Sequence, residues 1–140
     1  MARIDFLLLL HLEKHPDQGN LHSGDPGFVI SRNPDSVRAP DIALVKPGDA
    51  SFAPDRGYFV GVPSLAVEIL SPNDAAGDVL EKIDDWLNAG TSEVWIVDPK
   101  RKSIAVRRAN EPERVLKGKV ELSCESLLPG FRVAVAEIFR

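Results

Sequence analysis

The order of elements in the chain predicts an α/β or α+β fold built on a mixed central β-sheet. Three observations carry this reading. Nearly continuous apolar runs occupy Ser64 to Leu70 and Glu93 to Asp98, an amphipathic stretch with helical spacing lies between them, and shorter strand-like segments follow. The 140 residues fit one domain spanning 1–140. A chain of this size buries about two-thirds of its unfolded surface and needs no disulfides or structural metal. At 44% hydrophobic and 27% charged it is not wholly disordered, and its lone Cys124 excludes an intramolecular disulfide framework.

Ile4, Leu7, Leu8 and Leu12 recur at helical spacing, so 3–14 is read as a short helix. The apolar run inside it is interrupted by Asp5 and ends at His11, too short to span a membrane, and no small-residue cleavage site follows. The expectation is therefore a soluble, cytoplasmic protein. Residues 16–27 are turn-rich, Phe28-Val29-Ile30 reads as a strand, and Arg32-Asn33-Pro34-Asp35 reads as a turn. A second strand covers 41–45. Pro47, Gly48, Pro54, Gly57, Gly61 and Pro63 mark 46–64 as a long connection of the kind that is often functional.

Ser64 to Leu70 has the character of a strand covered on both faces, with Glu68 as its one charge. Ser71-Pro72-Asn73-Asp74 stops it and offers capping residues for a helix over about 75–89, closed by Gly90. The strand 93–98 ends at Pro99. Strands are expected over 103–108 and 114–122, then a turn at Leu128-Pro129-Gly130-Phe131, a short strand at 133–135 and a final half-turn at 137–139.

The net charge of −4 and pI ≈ 5.4 argue against generic nucleic-acid coating. The average hides an asymmetry. Residues 71–98 hold seven acids and one base, Lys82, whereas 99–140 hold ten bases and five acids. Such a split suits a metal site beside an anion-binding surface, and equally two oppositely charged solvated faces.

The pattern with chemical content is Asp41 at the opening of one strand and Glu68 inside the next. A carboxylate inside a buried strand is costly unless it is paired, hydrogen-bonded or metal-bound. A hard divalent cation such as Mg²⁺ would relieve the repulsion of two such groups and activate a phosphodiester for hydrolysis. The alternative is that Glu68 pairs with an arginine and Asp41 caps a turn. On a helical wheel the apolar stripe of the 75–89 helix runs from about 40° to about 160° from Lys82. Lys82 can thus lay its stem along the sheet and bring its ammonium to the strand ends, or pair at the surface with Asp78.

These segments carry a resemblance. Arg38-Ala39-Pro40-Asp41-Ile42-Ala43 and Val67-Glu68-Ile69-Leu70-Ser71-Pro72 resemble two motifs of the Uma-two family of restriction-endonuclease-like proteins. So do the helical segment Glu81 to Gly90 containing Lys82, the strand Glu93 to Pro99, and the ending from Leu128 to Phe139. The family is assigned to the PD-(D/E)XK nuclease superfamily. The resemblance implies a restriction-endonuclease-like mixed sheet flanked by helices and a Mg²⁺-dependent (or Mn²⁺-dependent) nuclease acting on DNA. It implies Asp41 and Glu68 as metal ligands, the Ile69 backbone carbonyl as a third, and Lys82 as the catalytic lysine. Asp78 and Glu81 would support them. Leu70 stands where the superfamily motif has its lysine, a role that passes to Lys82 from the helix.

Family members usually have a longer leading segment of a helix, a hairpin with an acidic residue and a second helix. This chain begins inside the counterpart of that second helix, and no position takes the missing acid's role. A naturally short domain, a true start upstream of Met1 and a degenerate copy are the three accounts. A homodimer would cover the sheet edge that the segment normally protects.

The remaining signals carry no chemistry of this kind. His11 and His15 lack the zinc-protease pattern, Cys124 lacks a catalytic neighbour, and Trp86 and Trp95 occupy core positions. The basic cluster Lys100, Arg101, Lys102, Arg107, Arg108 is suited to phosphate. The reading is a metal-dependent endodeoxyribonuclease; the alternative is a catalytically inactive nuclease-fold module that binds nucleic acid or protein.

Overall fold

A computed structural model describes residues 3–31 and 36–140, so the turn expected at 32–35 lies outside the described residues. Helix α1 (Ile4–Lys14) and a single 3-10 turn (Pro16–Gln18) lead into β1 (Asn20–Ser23), β2 (Phe28–Ser31), β3 (Ser36–Arg38) and β4 (Ile42–Val45). Then come β5 (Ala50–Ala53), β6 (Tyr58–Gly61), β7 (Leu65–Ile69), α2 (Ala76–Ala89) and β8 (Glu93–Asp98). The chain ends with β9 (Ser103–Arg107), β10 (Arg114–Lys117), β11 (Glu121–Cys124), β12 (Leu128–Ala134) and α3 (Val135–Ile138).

The central sheet has six strands in the order β1-β4-β7-β8-β9-β10. Only β7 and β8 pair in parallel, and α2 makes the crossover between them; the other neighbours are antiparallel. This is the mixed sheet flanked by helices that the sequence predicts. A four-stranded sheet (β3-β2-β6-β5) and the β11–β12 ribbon complete the fold.

Alternation along each strand divides the core between the two sheet faces. Leu65, Val67, Trp95 and Val97 join Ile4, Leu8 and Leu12 of α1 and residues of β11, β12 and α3 in one cluster. Ala43, Ala66, Val94 and Ile96 face the other way, toward Ile83 and Trp86 of α2 and Phe28 and Phe59 of the second sheet. Glu68 falls in that second register, so its side chain meets α2. Among the described residues no helix is long and apolar enough to cross a membrane.

Several details depart from expectation. The segment 46–64 is not a plain connection but contains the β5–β6 hairpin, and turn-rich 16–27 contains β1. The expected turn at 128–131 lies inside β12, and the single strand expected over 114–122 divides into β10 and β11. Leu80, on the edge of the wheel's apolar stripe, is exposed.

Candidate active site

The two acids meet because of strand register. The β4–β7 ladder reaches Ile42 opposite Val67, and that register carried on by one and two residues brings Asp41 to Glu68 and Pro40 to Ile69; Asp41 and Glu68 line one cavity. Directly opposed residues point to one face, with Cβ atoms about 5 Å apart. Pro40 has no N–H to offer the ladder. The antiparallel pairing therefore ends here. The Ile69 N–H instead donates to Asp41 Oδ2 at 2.6 Å. A strand residue's N–H and C=O point to the same edge, so the Ile69 carbonyl lies on the Asp41 side with no ladder donor from Pro40.

Helix α2 supplies the rest. Val79, Ile83 and Trp86 pack on the sheet at i, i+4 and i+7 spacing, which turns Lys82 toward the strand mouths. Lys82 Nζ lies 3.1 Å from Glu68 Oε1 and donates to the Ala39 carbonyl at 2.6 Å. Trp86 Nε1 donates to Glu68 Oε2 at 2.8 Å. Glu68 thus pairs with Lys82, not with an arginine, and Lys82 does not turn outward to Asp78. A cavity of about 370 Å³ opens over this group, lined by Asp41, Glu68, Ile69, Leu70, Asp78 and Lys82 among others.

Burial pushes the Asp41 carboxyl above its usual range; the Ile69 N–H and Lys82 oppose the shift, while Asp25 adds to it. Burial likewise raises Glu68, against the pull of Lys82 and Trp86 and with a contribution from Asp41. Two carboxylates that repel one another at the floor of a cavity, beside a backbone carbonyl, form an all-oxygen donor set that fits a hard divalent cation. Among the described residues, no three His, Cys, Asp or Glu side chains are grouped to hold a metal.

Of the supporting acids, Asp78 lines the cavity, whereas Glu81 faces Arg38 at 3.8 Å. Arg38 chiefly bonds Asp85 and so ties β3 to α2. Asp25, in the loop after β1, is the acid that sequence reasoning missed. The pairing of Ser23 with Ile42 carries that loop to Asp41, a contact visible only in the register.

The sequence model of the Uma2 family, described as "Putative restriction endonuclease", matches residues 2–136. The chain belongs to the Uma2 family. Among solved structures it resembles a putative nuclease of DUF820 from Anabaena variabilis, with a TM-score of 0.79 at 18% identity. That match covers 98% of this chain and 76% of the other, and it bears on the fold alone. No curated protein matches the chain.

Proposed function

We propose that this Uma2 protein is a divalent-metal-dependent endonuclease, a single domain that hydrolyses DNA phosphodiester bonds at the Asp41–Glu68–Lys82 cleft. The observation that carries the reading is the convergence of a half-buried carboxylate, a buried one that it repels, and a lysine on one cavity. Asp41, Glu68 and the Ile69 carbonyl would hold Mg²⁺ or Mn²⁺. The metal, when bound, supplies Lewis-acid activation of the phosphodiester and acidifies the attacking water. The chain's own residues set the geometry. The Ile69 N–H orients Asp41, and Trp86 fixes the Glu68 carboxylate in its strand. Lys82 has three N–H donors and spends two on Glu68 and Ala39, so the third is available to charge developing on a phosphate oxygen.

Asp41→Asn and Glu68→Gln are each expected to abolish Mg²⁺-dependent cleavage of plasmid DNA while leaving the circular dichroism spectrum unchanged. Cleavage by both purified variants would overturn the assignment. One observation favours a second reading, a nuclease-fold binding module without catalysis: both oxygens of Glu68 already have protein partners. Calorimetric titration with Mn²⁺, with and without DNA, separates the two, because the inactive module would take up no metal in either case.

A further inference from the structure

The β5–β6 hairpin raises an aromatic surface next to the candidate site. Phe52 on the edge strand β5 is 52% exposed, and its ring meets Phe59 edge-on at 5.2 Å between centroids. His22 meets the same Phe59 ring at 4.9 Å. Phe59 in turn stacks on Phe28 at 4.8 Å, and Phe28 abuts Trp86, so the exposed ring is braced against the core. Between them lies a cavity of about 620 Å³, walled also by Ser23, Pro26 and Lys46. Among the described residues no carboxylate lines it. Lys46 Nζ donates to the Gln18 carbonyl at 2.9 Å and keeps two further N–H donors.

The cavity begins where the candidate site ends. Ser23 and Pro26 flank the loop that brings Asp25 against Asp41. Lys46 stands five strand residues further along, about 16 Å away at about 3.3 Å per residue. An aromatic face with a cation at its rim and no carboxylate among its described lining residues matches the chemistry of an unpaired nucleobase and its phosphate. A base in an intact duplex is stacked on both faces and cannot use such a wall. The larger groove between α2 and β8–β9, about 1030 Å³, offers no such match: Asp74, Asp98 and Glu113 line it alongside Lys100 and Arg101.

We infer that the His22–Phe52–Phe59 cavity is a subsite for an unpaired base of the DNA strand held at the cleft, with Lys46 on its phosphate. The substrate class is then DNA with a single-stranded or frayed segment. The inference takes its substrate from the nuclease reading, but its test is a binding measurement.

Fluorescence anisotropy in EDTA, with fluorescein-labelled oligothymidylate and a blunt duplex, reads binding without cleavage. The wild type is expected to bind the oligothymidylate. Phe52→Ala should weaken that binding about tenfold, the loss of one stacked base, while Phe52→Trp retains it and duplex binding stays unchanged. A 5-iodouracil-substituted strand should crosslink to the peptide containing Phe52. Oligothymidylate binding equal in wild type and Phe52→Ala, or absent from the wild type, overturns the subsite. If the wild type cuts DNA while Phe52→Ala binds normally, the nuclease reading survives and the subsite does not. If Phe52→Ala loses binding but no variant or wild type cuts, the subsite survives and the nuclease reading does not.

Discussion

Glu68 is 6% exposed in a strand whose other members are apolar, and each of its oxygens is held from a different turn of α2. Burial still wins over those partners and raises its pKa. The consequence for stability has a definite sign. A carboxyl raised in the folded state keeps its proton where the unfolded chain has lost it, so its contribution is full at low pH and lost as pH rises through the raised value. Metal-free wild type should therefore gain stability relative to Glu68→Gln as pH falls from neutral into the ordinary carboxylate range. Urea titrations at a series of pH values measure this, and a difference independent of pH would count against it. Glu93 meets the same problem in β8, where Arg108 at 3.0 Å and the Trp95 N–H at 2.6 Å satisfy it. Its side chain is 3% exposed, so Arg108→Met leaves a buried carboxylate unpaired and should cost about 3 kcal/mol. The exposed Arg132–Glu125 pair is worth less, and Arg132→Met should cost under about 1 kcal/mol by the same denaturation measurement.

Helix α2 was legible in outline because its apolar spacing and the glycine behind it are local signals. Gly90 takes the left-handed conformation at φ +113°, and its N–H and that of Thr91 return to the last helical carbonyls. Its start was less legible. Asp74 does not cap the helix but accepts the Ser71 N–H at 2.8 Å, and the cap position falls on Ala75 with no side-chain bond. Short strands were the harder elements. Neither β1 nor β5 carries a buried residue, so neither shows the alternation that marks a half-buried strand. Pairing makes them strands. Gly61 at the end of β6 shows how close that pairing is: a Cβ there would lie 2.6 Å from the Asp49 carbonyl oxygen at φ +118°. At Gly90 the nearest atom is 3.8 Å away, so alanine meets only the cost of the left-handed backbone, about 1–2 kcal/mol. Gly61→Ala should be the more destabilising of the two, as midpoints of urea unfolding will show.

Opposite faces of one six-stranded sheet carry the two core clusters, and one tryptophan lies in each: Trp95 with α1, β11 and β12, and Trp86 with α2 and the second sheet. If the chain is a single cooperative unit, Trp86→Phe and Trp95→Phe, each keeping one reporter, should give coincident fluorescence and circular-dichroism transitions. Separate midpoints within either variant would divide the molecule. The charge asymmetry also resolves only in the whole molecule. Arg101 pairs with Asp98, Arg107 with Asp84 and Glu113, and Arg108 with Glu93, so much of the basic cluster offered to phosphate is spent internally. Lys100, Lys102, Arg114, Lys117 and Lys119 stay exposed. Local pattern in the sequence was enough for the fold class, the two buried strands and the crossover helix, and it marked Glu68 as a charge in an apolar run, while the family resemblance singled out Asp41, Glu68 and Lys82 as site candidates. Apolar runs, helical spacing and a charge inside an apolar run are local signals. What those residues meet is a property of the folded chain. The fold puts Asp41 and Glu68 on one cavity, Lys82 between Glu68 and Ala39, Asp25 near Asp41, and both His22 and Phe52 against Phe59. Register and packing bring together residues far apart in the chain, and no local signal records which ones.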